Sequence, residues 1–215
     1  MNQVKRAIGI DFGTTNCCVG VYDKGRIDII ENEQRQTTFP CMVTFFGREI
    51  VVGEAAKDQF TRNPRNTVFD MKRLLGRGFS DGVVKIGRNR WPFRVVRGKN
   101  DKPMVEIMFN GAQRRFSAEE ICAMVLHKIK TIAESCLNRK VKDTVITVPA
   151  YFNIEQRQAV KEAATIAGLH VMQLMDEPIA ALVAYGLDAA TYSCSTPKKI
   201  LIFDLGGHSL FSTIN

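Results

Sequence analysis

The chain has 215 residues, which fits one large domain or two small ones, and its 45% hydrophobic content is that of an ordinary globular protein. The 30 basic and 22 acidic residues leave a formal charge of +8, but no recognition motif accompanies it, so a nucleic-acid partner is not expected. No run approaches the length of a transmembrane helix, and Met1 to Arg6 is too short and too polar for a signal peptide. No membrane is therefore expected, and the cytoplasm, extending to the nucleus, is the expected location. The six cysteines form no CxxC pair and have no histidine at metal-ligand spacing. They read as free thiols, several of them buried.

Ala7 to Asp11 reads as a first buried strand. Cys17–Tyr22 and Arg26–Ile30 follow as strands around an Asp23-Lys24-Gly25 turn. Glu31 to Pro40 is polar and loop-like, Met42–Phe46 is a short strand, and Glu54–Arg62 is helical until Asn63-Pro64 stops it. Gly76 to Asp101 is rich in glycine and arginine and reads as irregular, anchored by Trp91, the single tryptophan. Asn110-Gly111 between Met104–Phe109 and Arg114–Phe116 signals a hairpin. Ser117 and Glu120 have capping-box spacing, and Ile121, Val125, Ile129 and Ile132 give the following helix an apolar face.

Thr144–Val148 is a strongly apolar strand. Asn153 and Gln156 open a second capped helix that runs to Gly168. Val171–Leu174, a helix over Ile179–Tyr185, a polar connection over Asp188–Lys198 and a strand over Ile200–Asp204 complete the pattern, with Leu210–Ile214 as a further strand at the chain end. Antiparallel strands followed by strand–helix alternation predict an α/β fold, a mixed sheet flanked by helices. A chain ending inside a hairpin reads as cut off, or as completed by another segment.

Two turns carry the chemistry. Ile8-Gly9-Ile10-Asp11-Phe12-Gly13-Thr14-Thr15 and Ile202-Phe203-Asp204-Leu205-Gly206-Gly207-His208-Ser209 each place a carboxylate, glycine and a hydroxyl after an apolar strand. Glycine lets backbone amides approach a phosphate, hydroxyls can add to them, and the aspartates suit a divalent cation. Neither turn is a GxxxxGK[ST] loop or a GxGxxG fingerprint. Lys72 could stabilise charge on a phosphoryl group, though most lysines are solvated surface groups. Asp176-Glu177-Pro178 starts a helix, with Asp176 as an N-cap and Glu177 either on the surface or turned into a cleft.

Together these residues resemble the Hsp70 chaperones. The matching strings are Ile8 to Thr15, Asn66-Thr67-Val68-Phe69-Asp70, Lys72-Arg73-Leu74-Leu75-Gly76, Trp91-Pro92-Phe93, Val145 to Asn153, Gln156-Arg157-Gln158-Ala159, Glu177-Pro178 and Ile202 to Gly207. They span nearly the whole chain, and its texture is similar to the cytosolic branch. The resemblance implies an actin-like ATPase fold, related to ribonuclease H, of which residues 1–215 would form the first lobe. The second lobe and the peptide-binding domain would be absent. It implies ATP and Mg2+ as cofactors, with J-domain co-chaperones and nucleotide exchange factors as partners.

Carried over by residue, Gly13, Thr14, Thr15 and Asn16 fall in the first phosphate turn and Gly206, Gly207 and Ser209 in the second. Asp11 and Asp204 match the carboxylates that organise magnesium, largely through water. Lys72, Glu177 and Asp204 match the catalytic centre, and Pro149 with Arg157 matches a relay toward the peptide-binding domain. The chain departs from the family pattern at Asn16, at an added Phe39, at His208 and at Phe211. His208 stands where the family has glycine, and Phe211 where it has an acidic residue. The expectation is an ATP-binding lobe with weak affinity and little turnover. A non-catalytic decoy that binds co-chaperones, and a marginally folded relic, are the competing readings.

Overall fold

The computed structural model describes residues 7–23, 25–187, 200–207 and 210–214. Lys24, the Asp188–Lys198 connection with Cys194, and His208 and Ser209 lie outside the described residues.

In β1 (Ile8–Phe12) the side chains of Ile8, Ile10 and Phe12 are buried while Gly9 and Asp11 are exposed, the period of two of a strand with one covered face. β2 (Asn16–Asp23), β3 (Arg26–Ile29) and β4 (Phe39–Pro40) follow. Next come β5 (Val43–Phe46), β6 (Glu49–Val52), α1 (Glu54–Gln59), β7 (Thr67–Val68), α2 (Gly82–Arg88), β8 (Arg94–Arg97), β9 (Pro103–Phe109) and β10 (Ala112–Ser117). The second half runs α3 (Ala118–Leu137), β11 (Asp143–Val148), α4 (Ile154–Ile166), β12 (His170–Asp176), α5 (Glu177–Ala184), β13 (Leu201–Leu205) and β14 (Leu210–Ile214).

The principal sheet has the order β12-β11-β1-β2-β3, with β4 added beside β2. β1, β11 and β12 are parallel, and β1, β2 and β3 antiparallel. Two three-stranded sheets, β6-β5-β7 and β10-β9-β8, meet through Phe45, whose ring lies 5.6 Å from that of Phe109 and 4.9 Å from that of Phe116. α3 lays Ile121, Val125, Leu126 and Ile129 against the core. This is the mixed sheet flanked by helices expected from the sequence, an architecture of the actin-like ATPase kind.

Local chemistry sets the element ends. Ser117 Oγ accepts from the Glu120 amide at 3.2 Å while Glu120 Oε2 accepts from the Ser117 amide at 2.7 Å. Asn153 and Gln156 exchange the same two bonds at 2.9 and 3.2 Å. Both capping boxes therefore form as their spacing predicts. Asn110 and Gly111 turn the β9–β10 hairpin with φ of 53° and 71°, the left-handed pair a two-residue turn demands.

The stretch from Gly76 to Asp101 corrects the sequence reading. It is not irregular, for it contains α2 and β8. Asp81 caps α2 by accepting from the Val83 amide at 2.7 Å. Gly87 weakens the helical signal, but it is required because the Trp91 ring lies where its Cβ would be. Trp91 does anchor the region: it is buried, stacks on Phe93 at 5.4 Å and donates from Nε1 to Asp70 at 3.3 Å. The strands β6 and β7 lack a sequence expectation, and α1 stops at Gln59 rather than Arg62.

Gly76 has φ of +63°, and a Cβ there would fall 2.5 Å from the Gln156 backbone at the start of α4. We expect Gly76→Ala to destabilise the protein by about 3 kcal/mol or more, since strain and a backbone clash combine. Gly111→Ala, with φ +71° and open space around it, should cost only about 1 kcal/mol. Urea unfolding midpoints of the two variants check the difference.

Candidate functional site

β1, β11 and β12 run parallel and present their carboxyl ends together, the edge where open α/β sheets bind ligands. Asp11 lies near the end of β1 and accepts from Thr147 Oγ1 at 2.7 Å, and the same Thr147 oxygen accepts from the Phe12 amide at 3.2 Å. β12 passes directly into α5, so Glu177 opens that helix. Asp176 sits at the N-cap position, but its carboxylate makes no cap. It accepts from Arg157 Nη2 at 2.7 Å instead. Arg157 also donates to the carbonyls of Phe152 and Ala150, which fastens the Pro149–Phe152 turn to the start of α5.

A cleft of about 410 Å³ opens at this edge. Asp11, Gly13, Thr14, Thr15, Asn16, Glu177, Asp204, Gly206 and Gly207 all line it. The two acid–glycine turns, from opposite ends of the chain, therefore share one cavity. They also touch, since a Cβ on Gly207 would collide with the Thr15 side chain, and within the first turn a Cβ on Gly13 would collide with the Asn16 carbonyl. Glycine is needed at both positions for close approach. Ser209 lies outside the described residues, but the β13–β14 register sets position 211 opposite Asp204.

Lys72 is the exception among the expected residues: it does not line the cleft. It follows Asp70, whose φ is 56°, in a single 3₁₀ turn over Met71–Arg73, and its side chain is 4% exposed. Its ammonium donates to the Phe12 carbonyl and, at 2.9 Å, to Glu177 Oε1. The charge thus sits under the cleft floor and reaches it through Glu177.

Burial raises the Glu177 carboxyl above its ordinary value. Lys72 opposes that rise, while Asp11 and Asp204 add to it. Two kinds of residue escaped the sequence reading. Thr147 is a hydroxyl at the end of the strand parallel to β1, a position that only strand pairing reveals. Ala180 and Ala181 line the cleft from α5, where small side chains leave room.

Among the described residues no three or more His, Cys, Asp or Glu side chains are grouped to hold a metal. A larger groove of about 670 Å³ beside β6 and α3 is mainly apolar. Its single lining carboxylate, Glu120, is engaged in the α3 cap. Among the described residues, no helix is long and apolar enough to cross a membrane.

The family model described as Hsp70 protein matches residues 7–214. The chain belongs to the Hsp70 family. It is 53% identical over 202 residues to Heat shock cognate 70 kDa protein 3 of Dictyostelium discoideum, covering 94% of this chain and 32% of that protein. It is 51% identical to a Heat shock 70 kDa protein of Emericella nidulans, covering 94% of this chain and 31% of the relative. It is 50% identical to a ribosome-associated molecular chaperone of Eremothecium gossypii, with coverage of 94% and 32%. The chain thus spans about a third of the length of the curated Hsp70 relatives it matches.

A carboxyl whose value is raised in the native state holds its proton more tightly there than in the unfolded chain. Stability therefore falls as pH rises from the ordinary glutamate value through the raised one. Lys72→Met removes the group that opposes the rise. We expect Glu177 to titrate at higher pH in this variant, so that the stability loss extends to higher pH. Breaking the buried pair should also cost about 3 kcal/mol at neutral pH. Carboxyl-carbon NMR titration of Glu177, with urea unfolding at several pH values, checks both. An unchanged Glu177 titration would refute the coupling.

Proposed function

We propose that residues 1–215 are the first lobe of a cytosolic-type Hsp70 nucleotide-binding domain, which takes ATP with magnesium. The observation that carries this reading is the convergence of both acid–glycine turns on one cleft whose floor rests on the Lys72–Glu177 pair.

The donor set fits the nucleotide. Gly13 and Gly207 let the two turns pack closely, against the Asn16 carbonyl and the Thr15 side chain, and both line the cleft with their backbone, as a phosphate cradle needs. Asp11 and Asp204 supply two carboxylates in the same cleft. Magnesium is commonly held by one or two carboxylates together with phosphate oxygens and water, so the absence of a larger acidic group among the described residues is compatible with it. Bound there, the metal would neutralise charge on the phosphates.

The protein's part is positioning. Thr14 and Thr15 offer hydroxyls and amides to phosphate oxygens, and Thr147 fixes the Asp11 carboxylate. Lys72, held by the Phe12 carbonyl and Glu177, stabilises negative charge developing on the terminal phosphoryl group. Glu177 orients the water that attacks in line with the leaving oxygen. Asp11, Thr15, Asn16 and Asp204 are exposed, so this cleft does not exclude water, and hydrolysis depends on such exclusion. J-domain co-chaperones and nucleotide exchange factors are the partners this reading implies. With them goes the wider role of ATP-controlled polypeptide binding.

Titration calorimetry with ATP and magnesium tests the proposal. We expect magnesium-dependent binding with a Kd on the order of 100 μM, or about −5.5 kcal/mol, and turnover far below that of an intact two-lobe domain. Asp204→Asn should weaken binding by roughly tenfold, near 1.4 kcal/mol. Absence of magnesium-dependent binding by the folded chain would overturn the assignment, and turnover equal to an intact domain would overturn the account of water exclusion.

A further inference from the structure

Two thiols that take no part in the site above lie directly behind its first turn. Cys17 Sγ and Cys41 Sγ are 2.8 Å apart, and both residues are 1% exposed. The β2–β4 ladder explains the encounter. Asn16 pairs with Pro40 and Cys17 with Phe39, and the Cys41 amide donates to the Thr15 carbonyl at 2.8 Å. Cys17 and Cys41 are therefore diagonal neighbours on one face of the ladder.

Their connection to the turn is direct. Cys41 Sγ donates to the Gly13 carbonyl at 3.3 Å, and Cys17 follows Asn16 immediately. The pair grips both flanks of Gly13–Asn16. A disulfide bond of about 2.05 Å needs the sulfurs to approach by less than an ångström. The other described cysteines are placed differently: Cys122 is buried in α3, Cys18 is half-buried and Cys136 is exposed.

We propose that Cys17 and Cys41 form an oxidisable dithiol, which a small peroxide converts to a disulfide that staples the Gly13–Asn16 turn to β4. Peroxide oxidises one thiol to a sulfenic acid and leaves as water. The second thiol attacks that sulfur, the S–S bond forms, and a second water departs with the hydroxyl. Two electrons and two thiol hydrogens pass from the protein to one peroxide molecule. Oxidation gives up the Cys41 S–H donor to the Gly13 carbonyl and ties Cys41 covalently to Cys17, the residue that follows the turn. Burial and the adjacent Cys41 hold the Cys17 thiol well above its ordinary value, so oxidation is slow, and the 1% exposure of both residues favours a small oxidant over a bulky one. The proposal concerns the turn itself and stands whether or not the cleft takes a nucleotide.

The test uses the full reduced chain, treated with hydrogen peroxide and then quenched with N-ethylmaleimide in denaturant, which exposes every remaining thiol. Peptide mapping should find a Cys17–Cys41 crosslink, two fewer alkylatable thiols and full reversal by dithiothreitol. Cys17→Ser and Cys41→Ser should each abolish the crosslink, while Cys18→Ser and Cys136→Ser retain it. In the oxidised protein, amide exchange at Gly13–Asn16 should slow, and the Tm should rise by an amount on the order of 5–10 °C. Should a serine variant fail to fold, Cys17→Ala and Cys41→Ala serve in its place. Irreversible oxidation of either thiol without a crosslink would overturn the proposal. So would a crosslink through any other cysteine, or exchange in the turn as fast as before.

Discussion

The buried ammonium of Lys72 is the constraint on which the site depends. A charge removed from water must be paired, and this one is held by the Phe12 carbonyl and Glu177. Those partners belong to the end of the first strand and the first residue of the last described helix. The lysine itself comes from a 3₁₀ turn between them in sequence. One cation therefore ties three distant segments to a common point, and the cleft opens above it. The same pairing lets Glu177 be a half-hidden carboxylate beside two others without an unopposed electrostatic cost.

Parallel pairing does the rest of the assembly. Because β1, β11 and β12 run the same way, Asp11, Thr147 and Glu177 emerge at one edge. Arg157 then fixes the junction between β12 and α5 through Asp176. The outlying three-stranded sheets and α2 stand away from this edge. Trp91, between α2 and β8, donates to Asp70 beside the lysine turn and stacks on Phe93. The short stretch from Asp70 to Arg73 thus links the packing around Trp91 to the Lys72–Glu177 pair.

Family membership leaves one part of the site distinctive. The second turn departs from the Hsp70 pattern at His208 and Phe211, and the hairpin register sets position 211 opposite Asp204. The first turn departs at Asn16, and a thiol pair lies behind it. Of these positions Asn16 lines the cleft.

By itself the sequence determined the local features: strand β1 from its alternation, the two capping boxes, the Asn-Gly hairpin and the glycines that close α4 and α5. These depend on interactions within a few residues, so a short window contains their cause. It also exposed both acid–glycine turns as chemical motifs. Tertiary structure decided the rest. Helix α2 is hidden in sequence because Gly87 weakens its signal, and the reason for that glycine is a tryptophan ring packed against it. Thr147 and the alanines of α5 became site residues only through strand pairing and helix placement. Lys72, by composition one lysine among many, acquired its role from burial and from a partner more than a hundred residues away. Long-range pairing of charge is a property of the folded chain, and no local pattern can carry it.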